Sequence, residues 1–226
     1  MKRVICAVGM AAALLAVAVP AMAQTAGAPA PSANAPSVNI GYLGGFIGVG
    51  AVQNVNTIAG GEVGIRVFHG LDVIAEGGWA KDGVTRRRTD VTATLATLLQ
   101  ASTGKPASSS VIAPVYFGMG GLRYVFDTSI GIHPYVLGEV GRASVEYKPT
   151  FTVNGTDVTN TLSTYGVTLG SDLVNKEVRT AYGGGVGVLY ARGMFYVDAS
   201  LRLLSIKTDS QNTNLTRAHV GLGVRF

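Results

Sequence analysis

Apolar and polar side chains alternate along most of the chain, and the last nine residues, AHVGLGVRF, show the pattern clearly. One face of this segment carries Ala218, Val220, Leu222, Val224 and Phe226, and the other carries His219, Gly221, Gly223 and Arg225. A period of two is typical of a β-strand with one apolar and one polar face. The same alternation predicts eight strands, at about 38–50, 58–68, 71–84, 112–126, 134–147, 179–190, 194–206 and 215–226.

Short and long connections alternate between the predicted strands. The short ones lie at 69–70, 127–133 and 191–193, and the longer ones at 51–57, 85–111, 148–178 and 207–214. This order is expected of an antiparallel up-and-down meander, in which alternate connections lie at opposite ends. We therefore predict an all-β fold, an eight-stranded antiparallel barrel over residues 38–226, in which the last strand pairs with the first.

The first 37 residues have a different composition. Lys2 and Arg3 precede an apolar run at 4–19, and small residues before Gln24 form a cleavage pattern, which predicts a secretory signal peptide at 1–23 rather than an uncleaved anchor. An Ala- and Pro-rich tether is predicted at 24–37. The single cysteine, Cys6, lies within the signal peptide, so the exported chain can form no disulfide.

The chain is apolar on average but not in long runs. Hydrophobic residues make up 47% and the mean hydropathy is +0.33, yet no stretch after residue 23 approaches the roughly 18 apolar residues of a membrane helix. This combination is typical of a transmembrane β-barrel. The formal net charge is +5, and it falls to about +3 without Lys2 and Arg3, which is too small to favour nucleic-acid binding.

The charged residues of the predicted strands share one parity, opposite the large apolar side chains. They are Glu62, Arg66, Asp72, Glu76, Arg123, Glu139, Asp198, Arg202, Arg217 and Arg225. A soluble β-sandwich or a lipocalin would show the same alternation, but the charged face is rich in glycine, alanine and serine rather than in solvating residues. We therefore predict that these ten residues form an ion-pair network in the lumen of a membrane barrel, where glycines make room for long side chains.

Two further features concern the opposite, apolar face. Aromatic residues near the short connections resemble the girdle of a membrane interface; they are Tyr124, Phe126, Tyr190, Phe195 and Phe226. Arg142 has the same outward parity. It lies either at headgroup level or next to a β-bulge that shifts the register.

The terminal pattern of Val220, Leu222, Val224 and Phe226, together with GLRY at 121–124, resembles the small outer-membrane β-barrel family of OmpA/OmpX type. The resemblance implies a porin-like fold in the outer membrane of a Gram-negative-type cell, with lipid and lipopolysaccharide as partners. It also implies that the terminal pattern is read by the barrel assembly machinery. We expect a monomer, with no peptidoglycan-binding domain after the barrel.

No motif in the chain predicts catalysis, a cofactor or a metal site. The glycines at 183–187 lie within a strand and lack the lysine of a phosphate loop. His69 and His133 flank short connections, and His219 has no serine two residues later, so no hydrolytic triad is apparent. We therefore expect a non-enzymatic protein. A lipid-modifying enzyme and a narrow pore are the alternatives, although a filled lumen argues against the pore.

The two long connections are the candidate sites of recognition, adhesion or envelope stabilisation. Arg86, Arg87 and Arg88 could contact lipopolysaccharide or an acidic partner, or be a solvated strand end. The residues that follow predict a helix capped by Thr89 or Asp90, with one apolar face made of Val91, Leu95, Leu98 and Leu99. Asn154–Gly155 predicts a hairpin that either extends the neighbouring strands or adds a strand pair to give ten.

Overall fold

The computed structural model describes residues 41–169, 176–207 and 212–226; the predicted signal peptide and tether lie outside these ranges. The strands described, in chain order, are β1 (Gly41–Ala51), β2 (Val55–Phe68), β3 (Leu71–Ala80), β4 (Ala107–Ile112), β5 (Val115–Val125), β6 (Ile132–Glu146), β7 (Lys148–Val153), β8 (Thr156–Asp157), β9 (Lys176–Arg192), β10 (Phe195–Lys207) and β11 (Asn212–Arg225). A helix, α1, spans Arg86–Thr103, and a short 3-10 helix spans Thr159–Tyr165.

Eight of these strands form a closed antiparallel barrel in the order β1-β2-β3-β5-β6-β9-β10-β11. The predicted eight-stranded up-and-down barrel is thereby confirmed. The last strand closes it: Leu43 pairs with Val224 and Ala51 with Thr216, and Gly41 and Phe226 exchange two backbone hydrogen bonds of 2.9 Å. Pairing with β1 therefore satisfies the backbone of the terminal strand.

The alternative with ten barrel strands is wrong, because the additional strands pair with one another. β4 comes from the long connection predicted at 85–111 and pairs with β7, which comes from the one predicted at 148–178. β7 in turn pairs with β8 through the turn at Asn154 and Gly155, whose φ angles are 50° and 79°. The three strands form a separate sheet. The two long connections therefore share one hydrogen-bonded structure beyond the barrel.

Helix α1 packs on one face of this small sheet. Its Leu99 lies in a buried cluster with Phe151, Val153, Val158 and Leu162. The helix begins after Thr85, whose extended backbone (φ −91°, ψ 154°) makes it the N-cap. The predicted caps, Thr89 and Asp90, are wrong because the helix includes the three arginines that precede them. We call α1, β4, β7, β8 and the 3-10 helix the loop module.

Large apolar side chains cover the outside of the barrel. Leu43, Ile47, Leu203 and Leu222 are among the most exposed. Such a continuous apolar surface indicates contact with a bilayer. Among the described residues, no helix is both long and apolar enough to cross a membrane.

The interior is filled in three layers. At the loop end lies an apolar layer that includes Ile58, Phe117, Leu204 and Ile206. A charged layer occupies the middle, and a layer rich in tyrosine, with Tyr42, Tyr135 and Tyr196, lies towards the short turns. The apolar layer was not apparent from the sequence, because its residues continue the parity of the charged positions.

Inward-facing glycines lie against the largest inward-facing side chains. A methyl group on Gly64 would overlap the Tyr42 ring, one on Gly78 would overlap Phe117, and one on Gly187 would overlap Tyr135. The missing side chains therefore provide the space that the aromatic rings fill, as a narrow eight-stranded barrel requires.

Candidate functional site

The middle layer of the barrel is a buried network of charges. Strand register brings like charges together: Glu62 pairs with Glu76 on β2 and β3, and Arg202 pairs with Arg217 on β10 and β11. Like charges directly opposite one another destabilise a sheet. The two glutamates and the two arginines instead neutralise one another across the lumen.

Arg202 and Arg217 span the lumen with fully buried side chains. The Arg202 guanidinium donates to Glu76 at 2.5 Å and to Glu62 at 2.6 Å. Arg217 donates to Glu76 at 2.7 Å and to Glu139 at 2.5 Å. Hydrogen bonds between ionised groups are among the strongest in proteins. The two arginines therefore link β10 and β11 to three strands that are distant in sequence, β2, β3 and β6.

Arg123 extends the network towards the short turns. Its guanidinium lies 3.0 Å from Glu62 and 2.9 Å from Asp72. It also lies over the Tyr42 ring, 4.4 Å from the centroid. Arg66 pairs with the same Asp72 at 2.9 Å, but its side chain is 45% exposed.

Hydroxyl groups complete the coordination of two carboxylates. The Tyr42 hydroxyl donates to Glu62 at 2.7 Å, and the Tyr135 hydroxyl donates to Asp198 at 2.8 Å. Asp198 also lies 3.9 Å from the Arg202 guanidinium. Nine of the ten predicted lumen residues therefore belong to one network. Arg225 does not join an ion pair among the described residues and donates instead to the carbonyl of Gly193 at 2.8 Å.

His219 points into the lumen and has a serine partner that its sequence neighbourhood does not reveal. The Ser200 hydroxyl lies 2.9 Å from Nε2 of His219, because the two residues pair across β10 and β11. Asp198 approaches the same nitrogen at 3.9 Å. In a hydrolytic triad the histidine uses one nitrogen for the nucleophile and the other for the acid. Here the serine and the acid both approach Nε2, so the arrangement is a polar packing cluster and not a triad. It lies beside a cavity with room for about one water molecule.

The three loop arginines have different surroundings. Arg86 and Arg87 are exposed in the first turn of α1. Arg88 is mostly buried; its guanidinium lies over the Tyr147 ring, 4.5 Å from the centroid, and 4.0 Å from Glu177. Arg88 therefore attaches the helix to the barrel rim, and Arg86 and Arg87 are available to a partner.

The predicted apolar face of α1 is partly wrong. Leu95 and Leu99 pack on the small sheet and Ala96 is buried as well, but Val91 is 38% and Leu98 56% exposed. These two residues lie with Arg87 along one edge of the packed face, spaced four and seven residues apart, and Arg86 is exposed beside them in the first turn. The exposed surface formed by Arg86, Arg87, Val91 and Leu98 is thus both cationic and apolar, and we call it the α1 face.

The terminal pattern lies on the outside of the barrel. Val220, Leu222 and Phe226 are exposed, and Val224 is half-buried. Phe226 lies at the inner edge of the apolar surface. No cluster of histidine, cysteine and acidic side chains in the described part of the chain is arranged to hold a metal ion.

No protein-family model and no curated protein matches this chain. Among solved structures, Neisserial surface protein A is 13% identical over 82% of this chain and 96% of its own, with a TM-score of 0.51. A major outer membrane protein from Thermus thermophilus (11% identity, 82% and 99% coverage, TM-score 0.47) and Ail of Yersinia pestis (12%, 82% and 96%, TM-score 0.44) are also similar. The similarity to Neisserial surface protein A indicates that this chain has the fold of a small outer-membrane β-barrel.

Proposed function

We propose that this protein is a non-enzymatic integral outer-membrane barrel of a Gram-negative-type cell, whose loop module recognises a partner at the cell surface. The observation that carries the proposal is the contrast between a filled barrel and an ordered, exposed loop module. The predicted signal peptide and the apolar outer surface support the location. The terminal pattern that ends at Phe226 supports delivery by the barrel assembly machinery.

The filled lumen argues for recognition rather than transport. A solute would have to displace both the charged layer around Arg202 and the apolar layer that contains Leu204 and Ile206. Breaking a buried ion pair by removing one partner costs about 3–5 kcal/mol. The barrel is therefore a rigid support, and the narrow-pore alternative is disfavoured.

The loop module is structurally well defined, as a recognition surface needs to be. The β4–β7 pairing joins two loops that would otherwise move independently, and the cluster around Phe151 fixes helix α1 on this sheet. Preorganised surfaces lose less conformational entropy on binding than flexible loops do. Its α1 face therefore has a fixed geometry.

Lipopolysaccharide is the partner that the α1 face fits best. Arg86 and Arg87 supply positive charge for its phosphates, and Val91 and Leu98 supply apolar contact. Each basic residue near an anionic membrane surface contributes about 1 kcal/mol. Contact at this face would stabilise the envelope, and adhesion to another cell is the competing role.

The enzyme alternative requires a nucleophile that substrate can reach. Ser200 and His219 are buried in the lumen between the apolar layer and the tyrosine layer. A lipid in the bilayer has no route to them. We therefore assign these residues to packing.

Binding to vesicles that contain lipopolysaccharide tests the proposal. The double variant R86Q/R87Q should bind about 10- to 30-fold more weakly, because two contributions of about 1 kcal/mol are lost. Lys105→Gln, at the other end of α1, is the matched control and should leave binding within about twofold of the wild type. Equal binding by the double variant and the wild type would contradict this partner. Steady conductance in a planar bilayer would contradict the filled lumen.

A further inference from the structure

Arg142 interrupts the apolar outer face of β6. The outward positions before it are Ile132, Pro134, Val136, Gly138 and Val140, and Ser144 and Glu146 follow. The register with β5 and β9 continues without a shift through Arg142, so the predicted alternative of a β-bulge is wrong. The side chain is exposed, and none of the ion pairs in the described part of the chain includes it.

The position of Arg142 along the strand places it at the outer edge of the bilayer. It follows Ile132 by ten residues, which at about 3.3 Å per residue and a tilt of about 40° gives a height of about 25 Å. The apolar band of an outer-membrane barrel is about 25 Å tall. Ile132 lies next to the inner turn, so Arg142 is at the level of the outer-leaflet headgroups.

Arg142 is surrounded on the outer wall by residues with hydroxyl groups and by a glycine that leaves space beside it. Thr180 pairs with it on β9 and Gly118 pairs with it on β5. Tyr116 and Tyr182 are diagonal to it and both are exposed. A methyl group at Gly118 would meet nothing within 4 Å, so the wall is recessed beside the guanidinium.

We propose that Arg142 is the anchor of a binding site for a phosphate-bearing lipid headgroup on the barrel wall. A guanidinium binds two phosphate oxygens at once through its planar fork. The hydroxyls of Thr180, Tyr116 and Tyr182 are placed to donate to the remaining oxygens, and the recess at Gly118 admits the headgroup. The site is on the wall, whereas the α1 face is on the loop module, and each can exist without the other.

The acidic residue nearest on the outer face does not neutralise Arg142. Glu146 lies two outward positions beyond it, is 3.2 Å from Lys148, and pairs in register with Lys176. A charged side chain on the lipid face near the interface costs about 0–1 kcal/mol. An anionic headgroup offsets that cost, so the arginine stabilises a lipid contact instead of destabilising the barrel.

Native mass spectrometry in a neutral detergent, with lipid A or phosphatidylglycerol added, tests this site. Arg142→Gln should weaken the binding of at least one lipid about tenfold or more, and Arg142→Lys should retain part of the affinity because it keeps the charge without the fork. Arg192→Gln is the matched control, since Arg192 is exposed at the opposite end of β9. It should change binding less than about twofold.

The pattern across lipids identifies the source of the phosphate. A loss confined to lipid A assigns the site to lipopolysaccharide, and a loss for both lipids assigns it to phosphate headgroups in general. Unchanged binding by Arg142→Gln, or an equal loss in Arg192→Gln, overturns the proposal.

A second measurement does not need a variant. Solid-state NMR of the wild type should show dipolar coupling between the Arg142 guanidinium carbon and lipid phosphorus, and absence of that coupling also overturns the site. The coupling should persist in R86Q/R87Q, so the two proposals can fail separately.

Discussion

Arg202 and Arg217 are cross-strand neighbours whose guanidiniums share one carboxylate, that of Glu76, at 2.5 and 2.7 Å. This acid lies between two adjacent positive charges, and Glu62 and Glu139 each pair with one of them as well. Glu76 thus holds both guanidiniums at hydrogen-bond distance. The layer joins β3 to β10 and β11 across the lumen, in addition to the backbone pairing around the wall.

The first prediction concerns this shared carboxylate. Glu76→Gln should lower the free energy of unfolding by about 3–5 kcal/mol, because it leaves two buried guanidiniums short of an anion. Denaturant titration in lipid vesicles, followed by the shift in electrophoretic mobility between unboiled and boiled samples, measures the change. Glu146→Gln removes a half-exposed carboxylate at the rim and should cost less than about 1 kcal/mol. Similar losses in the two variants would contradict a special role for Glu76.

The second prediction concerns the space beside Tyr42. Gly64→Ala should destabilise the barrel by about 1–3 kcal/mol, because the added methyl group overlaps the tyrosine ring. Gly138→Ala on the outer wall is the control, since its methyl group would meet nothing within 4 Å. The same unfolding assay should show no loss for Gly138→Ala. If Gly64→Ala were equally harmless, the three-layer packing of the lumen would be wrong.

The sequence predicted the barrel strands well because alternation in a one-sided sheet has a period of two, and a slip of one residue would reverse both faces. The charged residues could be assigned to one parity for the same reason. The partners within the network could not be predicted, since they depend on which strands oppose one another across the lumen. The contact of Ser200 with His219 likewise arises from register between β10 and β11.

The loop module was harder to predict than the barrel. Pairing of β4 with β7 is a contact between two separate connections, and no local pattern encodes it. Val91 and Leu98 were assigned to the packed face of α1 because apolar residues at helical spacing are usually buried. The start of the helix at Arg86 was missed because arginines are unfavourable in the first turn.

The third prediction separates the roles of neighbouring arginines. Arg88→Ala should increase amide hydrogen exchange in the first turns of α1, because the contact with the Tyr147 ring attaches this end of the helix to the rim. A cation–π contact of this kind contributes about 0.5–1 kcal/mol or more. Arg86→Ala, in the same turn but exposed, should leave exchange unchanged. Equal exchange in the two variants would mean that the small sheet alone holds the helix.

The last prediction concerns assembly. Phe226 is 69% exposed on the outer wall, at the inner end of the strand that closes the barrel against β1. Phe226→Asp should therefore slow insertion by the barrel assembly machinery and lower the amount of folded protein in cells. The loss of side-chain packing should be small, because the phenylalanine contacts mainly lipid. Folding of the purified variant into short-chain lipid vesicles without the machinery separates the two effects. There the folded fraction should approach that of the wild type, and an equal defect in both systems would assign Phe226 to barrel stability instead of recognition by the machinery.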